Sequence, residues 1–235
     1  MSESKNNSNM TNFESLGLSQ NILKGVYSYG FIDPSDIQSK GIKVITSKKD
    51  CILQSQSGTG KTGTYLLGTL QNIDPENKSL QSIIITPTRE LAEQVYQVAL
   101  QISKYTKIKI IQCIGGTNIS QFKKEIKTSH LLIGTIGRIY HMFEEKVISL
   151  NTLKQITLDE ADNLLDKSYN EKILLFLEKV KSNTQKCFLS ATVNRNLRDV
   201  SKKILNQPEM VLLKKEQVQV KAIKNFYLNT EKEEH

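Results

Sequence analysis

Residues 56–62 read Gln-Ser-Gly-Thr-Gly-Lys-Thr, between the apolar run at 50–54 and a segment able to form a helix. Gly58 and Gly60 can adopt positive φ, which lets successive backbone N–H groups converge on an anion. In such a loop the lysine reaches the β- and γ-phosphates and the following hydroxyl ligates Mg²⁺. The stretch therefore predicts a nucleoside triphosphate site, formed by Ser57, Gly58, Thr59, Gly60, Lys61 and Thr62. Ser55 stands where this pattern usually begins with Gly or Ala.

A separate, acidic stretch, "QITLDEAD" at 155–162, is typical of the part of a nucleoside triphosphate site that holds the metal and the attacking water. Its apolar run ends at Asp159 and Glu160, which places both carboxylates at the carboxyl edge of a parallel sheet. We expect Asp159 to hold the Mg²⁺ shell and Glu160 to orient or deprotonate the attacking water, so Lys61, Asp159 and Glu160 are the predicted catalytic residues. The alternative is that Asp159 caps a helix starting at Glu160.

Short β-branched runs alternate with helical patterns, which predicts an α/β three-layer domain around a mostly parallel sheet. The predicted strands are 50–54, 82–86, 107–114, 129–135, 155–159, 186–190 and 210–213. The predicted crossover helices are 90–104, 137–146, 171–181 and 196–205, and residues 12–40 look helical until Pro34.

Composition narrows the class of protein. The net charge of +8 and the pI near 9.2 suit a partner that carries phosphates. No apolar run approaches the roughly 20 residues of a membrane span, and the N-terminus lacks a signal-peptide core, so we expect a cytoplasmic or nuclear protein.

Cys51, Cys113 and Cys187 are interpreted as free buried thiols. The nearest match to a guanine-reading Asn-Lys-x-Asp is "NKSL" at 77–80, which lacks the aspartate and gives GTP no support.

Five short motifs occur in the order found in the DEAD-box ATP-dependent RNA helicases. They are "SQSGTGKT" at 55–62, "PTRELA" at 87–92, "IGGT" at 114–117, "LDEAD" at 158–162 and "SAT" at 190–192. The chain resembles this family over residues 13–192, and its flanks look most like the eukaryotic initiation factor 4A branch. The resemblance implies a RecA-like fold, ATP and Mg²⁺ as cofactors, and RNA as the partner.

The resemblance implies an adenine site upstream of the phosphate loop. Gln38 matches the family's adenine reader, since one amide supplies a donor and an acceptor. Phe31 matches the aromatic residue that packs on the purine. Phe13 lies where the family has a further aromatic, with core packing as the alternative for both phenylalanines. Asp36 replaces a small residue or proline.

The resemblance also implies that single-stranded RNA crosses the same edge of the sheet. Residues that match the family's sugar and phosphate contacts are Thr88, Arg89, Gly116, Thr135, Gly137 and Arg138. Hydroxyls, arginines and helix N-termini suit binding that is independent of sequence. Ile136 stands where the family usually has proline, which leaves that loop less fixed in φ.

Asp162, Ser190 and Thr192 resemble the family's residues that couple ATP to RNA. Ser190 is expected to hydrogen-bond Asp162. As an alternative, "SAT" ends a strand and caps a helix starting near Asn194.

The predicted organisation is a disordered tail at 1–12, a RecA-like domain at 13–213, and at 214–235 the start of a linker to a second RecA-like domain absent from this chain. The second domain's arginine motif has no counterpart after residue 192, so we expect residues 1–235 alone to be nearly inactive. We expect the full protein to be a monomeric RNA helicase or clamp with protein regulators. Translation initiation, exon-junction clamping and ribosome assembly are all compatible with these motifs. The alternatives are a non-catalytic RNA- or protein-binding scaffold and a DNA helicase.

Overall fold

The computed structural model describes residues 11–116, 119–166 and 170–213. These residues form one seven-stranded sheet with the strand order β3-β4-β2-β5-β6-β1-β7, and every neighbouring pair is parallel. The strands are β1 (Cys51–Gln54), β2 (Ser82–Thr86), β3 (Ile110–Cys113), β4 (Leu131–Thr135), β5 (Gln155–Leu158), β6 (Gln185–Ser190) and β7 (Glu209–Leu212). All seven predicted strands are confirmed, and the largest change is that the run at 107–114 is trimmed to four residues.

Helices cover both faces of the sheet. They are α1 (Gln20–Tyr29), α2 (Asp36–Thr46), α3 (Lys61–Asn72), α4 (Arg89–Ser103), α5 (Ile119–Glu125), α6 (Ile136–Glu144), α7 (Ala161–Leu164), α8 (Asn170–Lys179) and α9 (Arg195–Ile204), with short 3₁₀ turns at Glu14–Leu16 and Ile126–Thr128. Helices α1 to α4 build the core on one face, and α5 to α9 build the core on the other. The three-layer α/β prediction is therefore confirmed.

Alternation along each strand divides the apolar side chains between the two cores. Ile83 and Ile85 of β2 enter one core and Ile84 enters the other, and all three are fully buried. A strand buried on both faces requires a continuous apolar run, which is what "SIIIT" supplies. Because all strands run the same way, the loops that follow them meet at one edge.

The reading of residues 12–40 as helical until Pro34 is wrong in detail. Helix α1 ends at Tyr29, because Gly30 adopts φ 100° and its N–H bonds back to the last turn of the helix. The chain is then extended through Pro34 before α2 begins at Asp36. The predicted tail at 1–12 and linker at 214–235 lie almost entirely outside the described residues.

Two further sequence interpretations concern burial. The three cysteines are free and buried, as expected. Across the described ranges, the helices are all too short or too polar to cross a membrane.

Candidate functional site

The loop between β1 and α3 has the backbone of an anion cradle. Gly58 and Gly60 adopt φ 79° and 100°, and α3 begins directly after Gly60. The Thr59 hydroxyl lies 2.5 Å from the Ser55 hydroxyl and donates to the Gln56 carbonyl at 2.7 Å. Ser55, which departs from the usual pattern, therefore helps to fix the loop. The N–H groups at the start of α3 carry the positive end of the helix toward the loop.

Lys61 is the cation of this loop. It is half-buried, and its ammonium donates to the Ser55 carbonyl. Burial lowers the pKa of Lys61, while the carboxylates of Asp159, Asp162 and Glu160 act in the opposite direction. A lysine held between a phosphate cradle and three carboxylates is positioned to neutralise an anionic ligand.

Asp159 follows β5 and is 4% exposed. One carboxylate oxygen accepts the Glu160 N–H at 3.0 Å, and the other accepts the Tyr65 hydroxyl at 2.8 Å. Burial raises the pKa of Asp159 to about 6, against the hydrogen bonds from Tyr65 and the Glu160 backbone, which lower it. The side chain is fixed in place beside Lys61.

Glu160 has a left-handed backbone, with φ 51° and ψ 50°, which is uncommon for a residue other than glycine. It occupies the N-cap position of α7 without a side-chain capping bond, so Asp159 is not the cap of a helix starting at Glu160. One Glu160 carboxylate oxygen accepts the Asn163 amide at 2.8 Å. The backbone conformation and the Asn163 contact together orient this carboxylate.

The donor set at this edge suits a hard cation. Thr62 and Asp159 provide a hydroxyl and a carboxylate, the oxygen ligands that Mg²⁺ prefers. In the parts of the chain that the structure describes, no cluster of three or more His, Cys, Asp or Glu side chains could hold a metal. Such a pair of oxygens therefore fits an ion that takes its remaining ligands from phosphates and water.

The candidate adenine reader, Gln38, lies against the phosphate loop. It is 3% exposed, accepts the Ser35 N–H at 2.9 Å and donates to the Gly60 carbonyl at 3.4 Å. The Ser35 hydroxyl accepts the Gln38 N–H and donates to the Thr59 carbonyl at 2.8 Å. Ser35 and Gln38 form a capping box at the start of α2, despite Asp36. Hydrogen bonds thus join the candidate adenine reader to the loop at residues 55–62.

The rings of Phe13 and Phe31 stack on each other, but the two residues differ in burial. Their ring centroids are 6.0 Å apart with planes 24° from parallel. Phe13 is fully buried in the core, which favours the packing alternative for it. Phe31 is half-buried and contacts the site, since a Cβ built on Gly63 would lie 3.1 Å from its ring. Phe31 is therefore the ring available to a purine, with Phe13 behind it.

The predicted bond between Ser190 and Asp162 is wrong. One oxygen of Asp162 accepts the N–H of Thr192 at 3.1 Å and its hydroxyl at 2.8 Å. Ser190 is fully buried and donates instead to the Thr192 carbonyl, because its side chain points back into the turn that follows β6. The three residues do come together. The motif ends β6 as the alternative expected, but the cap of α9 is Asn194 and not a residue of "SAT". The role of these three residues in coupling ATP to RNA stays a prediction.

The candidate RNA residues lie at the starts of helices on the other half of the edge. Thr88 caps α4 by accepting the Leu91 N–H, and Arg89 lies against Gly115, whose added Cβ would be 2.3 Å from the guanidinium. Gly116 adopts φ 93°, and Thr117 of the same motif lies outside the described residues. Arg89 and the "IGGT" segment are therefore in contact.

The remaining RNA candidates surround the start of α6. Thr135 ends β4, Gly137 has open space where a Cβ would stand, and the guanidinium of Arg138 lies 3.4 Å from His141. Ile136, which replaces the usual proline, is 2% exposed and packs in the core. That burial fixes the Ile136 side chain at the start of α6.

Sequence reasoning missed three side chains that hold the site: Ser35, Tyr65 and Asn163. A signal existed for each of them. Ser35 and Gln38 have the Ser-x-x-Gln spacing of a capping box. Tyr65 lies three residues beyond Thr62, and Asn163 three beyond Glu160, a spacing that brings side chains to one face of a helix.

The fold and this edge define a phosphate-loop nucleotide-binding domain. The sequence profile of the DEAD/DEAH box helicase family matches residues 35–200, and the chain belongs to that family. Its predicted RecA-like fold and its resemblance to the initiation factor 4A branch are confirmed.

Relatives and solved structures agree. The chain is 38% identical to the ATP-dependent RNA helicase eIF4A of Yarrowia lipolytica, over 96% of this chain and 58% of that protein. It is 40% identical to the ATP-dependent RNA helicase FAL1 of Eremothecium gossypii, over 94% of this chain and 56% of that protein. The chain therefore spans little more than half the length of these relatives.

Among solved structures, Saccharomyces cerevisiae Dbp5 bound to RNA and ADP BeF3 superposes with a TM-score of 0.83 at 32% identity, covering 91% of this chain and 55% of that one. A variant of the same yeast protein, bound to a variant of Gle1 and to IP6, gives a TM-score of 0.78 at 31% identity, covering 87% and 52%.

Proposed function

We propose that this chain is the ATP- and RNA-binding domain of an ATP-dependent RNA helicase. One observation carries the proposal: Lys61 at the start of α3 and the consecutive residues Asp159 and Glu160 after β5 meet at one edge of the sheet, and both carboxylates are held by hydrogen bonds. A scaffold that had given up catalysis would have no need for this arrangement. The relatives named as ATP-dependent RNA helicases support the same conclusion.

In this proposal the triphosphate lies on the loop at residues 55–62. Backbone N–H groups at the start of α3 and the Lys61 ammonium bind its phosphates. Phe31 packs on the adenine and Gln38 reads its edge. Thr62 and Asp159 would hold Mg²⁺, which neutralises charge on the phosphates when it is bound. Glu160 orients the attacking water or takes a proton from it.

RNA in this proposal crosses the half of the edge that carries Thr88, Arg89, Gly116, Thr135, Gly137 and Arg138. These groups bind sugar and phosphate, so the protein would recognise the form of RNA rather than its sequence. The contact of Asp162 with Thr192 links the nucleotide half of the site to the turn after β6. We infer that this link carries the coupling between ATP and RNA. Protein regulators that bind other surfaces would set the pathway.

The test is ATP hydrolysis by a chain extended to the length of its relatives, measured with and without single-stranded RNA. A Glu160→Gln variant is the matched control, because it keeps the shape and the Asn163 contact while removing the base. We expect turnover that requires RNA and falls about 10²–10⁴-fold in the variant. ATP binding without hydrolysis would favour the scaffold, and equal stimulation by DNA would favour a DNA helicase.

Residues 1–235 alone should bind adenine nucleotide weakly and hydrolyse it hardly at all. Transition-state arginines of the kind this family carries in its second domain are commonly worth about 10³–10⁵ in rate. RNA-stimulated turnover by residues 1–235 equal to that of the extended chain would contradict this expectation.

A further inference from the structure

The phenol of Tyr65 lies against Asp159, one of the two carboxylates of the candidate site. Tyr65 lies in the second turn of α3, four residues after Lys61, and it is fully buried. Its hydroxyl donates to Asp159 at 2.8 Å. The hydroxyl therefore contacts the carboxylate that is predicted to hold the cation.

This contact fixes the plane of the Asp159 carboxylate. One oxygen is held by the Glu160 N–H and the other by the Tyr65 hydroxyl, and each retains a further lone pair. Removing the hydroxyl would leave a buried acceptor without its donor and allow the carboxylate to rotate. The orientation of Asp159 would then depend on the Glu160 backbone alone, which has an uncommon conformation.

We propose that Tyr65 is a positioning residue, which holds Asp159 in the orientation needed to bind Mg²⁺ with the nucleotide. The inference rests on the proposed function, because it concerns the same site. The competing explanation is that Tyr65 only fills the core with its ring. The two explanations separate at the oxygen atom: a phenylalanine keeps the ring and loses the contact with Asp159.

The experiment compares Tyr65→Phe with Tyr27→Phe in residues 1–235. Tyr27 is a matched control, because its hydroxyl also donates to a carboxylate, that of Glu14 at 2.6 Å, on helix α1. A fluorescent ADP analogue is titrated with Mg²⁺, its affinity is measured again in EDTA, and thermal unfolding is recorded for each protein.

We expect Tyr65→Phe to raise the Mg²⁺ concentration at half-effect roughly tenfold, as loss of a hydrogen bond to a charged group predicts. Its nucleotide affinity in EDTA should stay within about twofold of the wild type, since the phosphate loop keeps its own contacts. Tyr27→Phe should leave both quantities unchanged.

An unchanged Mg²⁺ response in Tyr65→Phe would overturn the inference while leaving the proposed function intact. Equal losses of affinity with and without Mg²⁺, together with a lower unfolding temperature, would show a packing role only. No nucleotide binding by the wild type, or binding indifferent to Mg²⁺, would instead count against the proposed function.

A double-mutant cycle tests whether Tyr65 acts through Asp159. In an Asp159→Asn background, Tyr65→Phe should add nothing to the Mg²⁺ shift, because the group that it positions is already changed. A further shift of the same size in that background would overturn the inference.

Discussion

The two halves of the sheet's carboxyl edge are built differently. In the nucleotide half, hydrogen bonds join residues that are far apart in the sequence: Tyr65 to Asp159, 94 residues on, and Asp162 to Thr192, 30 residues on. In the half that carries the candidate RNA residues, the side-chain hydrogen bonds are local, as that of Thr88 to the Leu91 N–H is, although Arg89 also lies against Gly115. The first half is fixed by tertiary structure and the second by the starts of its helices.

This difference matches the chemistry proposed for each half. Phosphoryl transfer requires a lysine, a carboxylate and a base held in fixed geometry, which distant contacts provide. Binding of a sugar-phosphate strand requires N–H groups and cations spaced along an edge, which successive strand-to-helix turns provide. Damage to one half should therefore leave the other largely intact.

Among the variants that compare the two halves, the largest effect is expected at Gly60, where the phosphate loop contacts the candidate adenine reader, Gln38. A Cβ at this position would lie 2.8 Å from the amide of Gln38, which is already bonded to Ser35, and the residue would keep φ 100°. Gly60→Ala should lower the free energy of unfolding by about 1–3 kcal/mol and weaken nucleotide binding roughly tenfold. Urea unfolding and nucleotide titration measure the two effects.

Gly58→Ala is the matched control for this prediction. Gly58 has a similar φ of 79°, but an added Cβ would meet nothing within 4 Å. The variant should show only the backbone cost of about 1 kcal/mol. Equal losses in the two variants would mean that the contact with Gln38 does not matter.

A smaller effect is expected from Arg89→Ala in the RNA half. In the extended chain, losing one phosphate contact should weaken RNA binding several-fold for all sequences and reduce the salt slope by about one. ATP binding should be unchanged. Arg195→Ala is the control, since the Arg195 side chain is 97% exposed and pairs only loosely with Asp199, at 3.9 Å. Equal RNA affinity of the two variants, or a loss of ATP affinity in Arg89→Ala, would contradict the division of the edge into two independent halves.

The smallest effect concerns pH and lies away from both halves. His130 is 2% exposed and its ring accepts the Lys109 N–H at 2.8 Å; burial lowers its pKa, with Lys109 acting in the same direction and Asp74 against it. As pH falls through about 6.5, the unfolded chain takes up a proton that the folded protein resists, so stability is lost.

His130→Asn can keep the acceptor for Lys109 without a titrating group. Between about pH 7.5 and about pH 5.5, its free energy of unfolding should fall less than that of the wild type. Urea unfolding at both values gives the difference, and parallel changes in the two proteins would contradict the assignment to His130.

Most of the fold could be predicted because buried parallel strands have a distinctive composition. "SIIIT" at 82–86 predicts β2 with its observed bounds. Helix α1 was harder to delimit, since its end depends on the conformation of Gly30 rather than on an apolar pattern. Helix α7 is only four residues long, too short for periodicity to identify.

The candidate site could be predicted as a list of residues but not as a network. The identities of Lys61 and Asp159 follow from motifs. The partner of Asp159, in contrast, is Tyr65 on helix α3, which no motif identifies. The sequence also predicts the wrong partner for Asp162, which bonds to Thr192 and not to Ser190. The two hydroxyls are two residues apart, and only the conformation of the turn decides which of them faces Asp162.

The most direct test of the account is equilibrium binding of a fluorescent ATP analogue to residues 1–235, with competition by unlabelled ATP and GTP and with Lys61→Ala beside the wild type. The account predicts saturable binding that ATP displaces far better than GTP and that weakens about 10–100-fold without the lysine. Absence of saturable binding, or binding that survives Lys61→Ala unchanged, would contradict it.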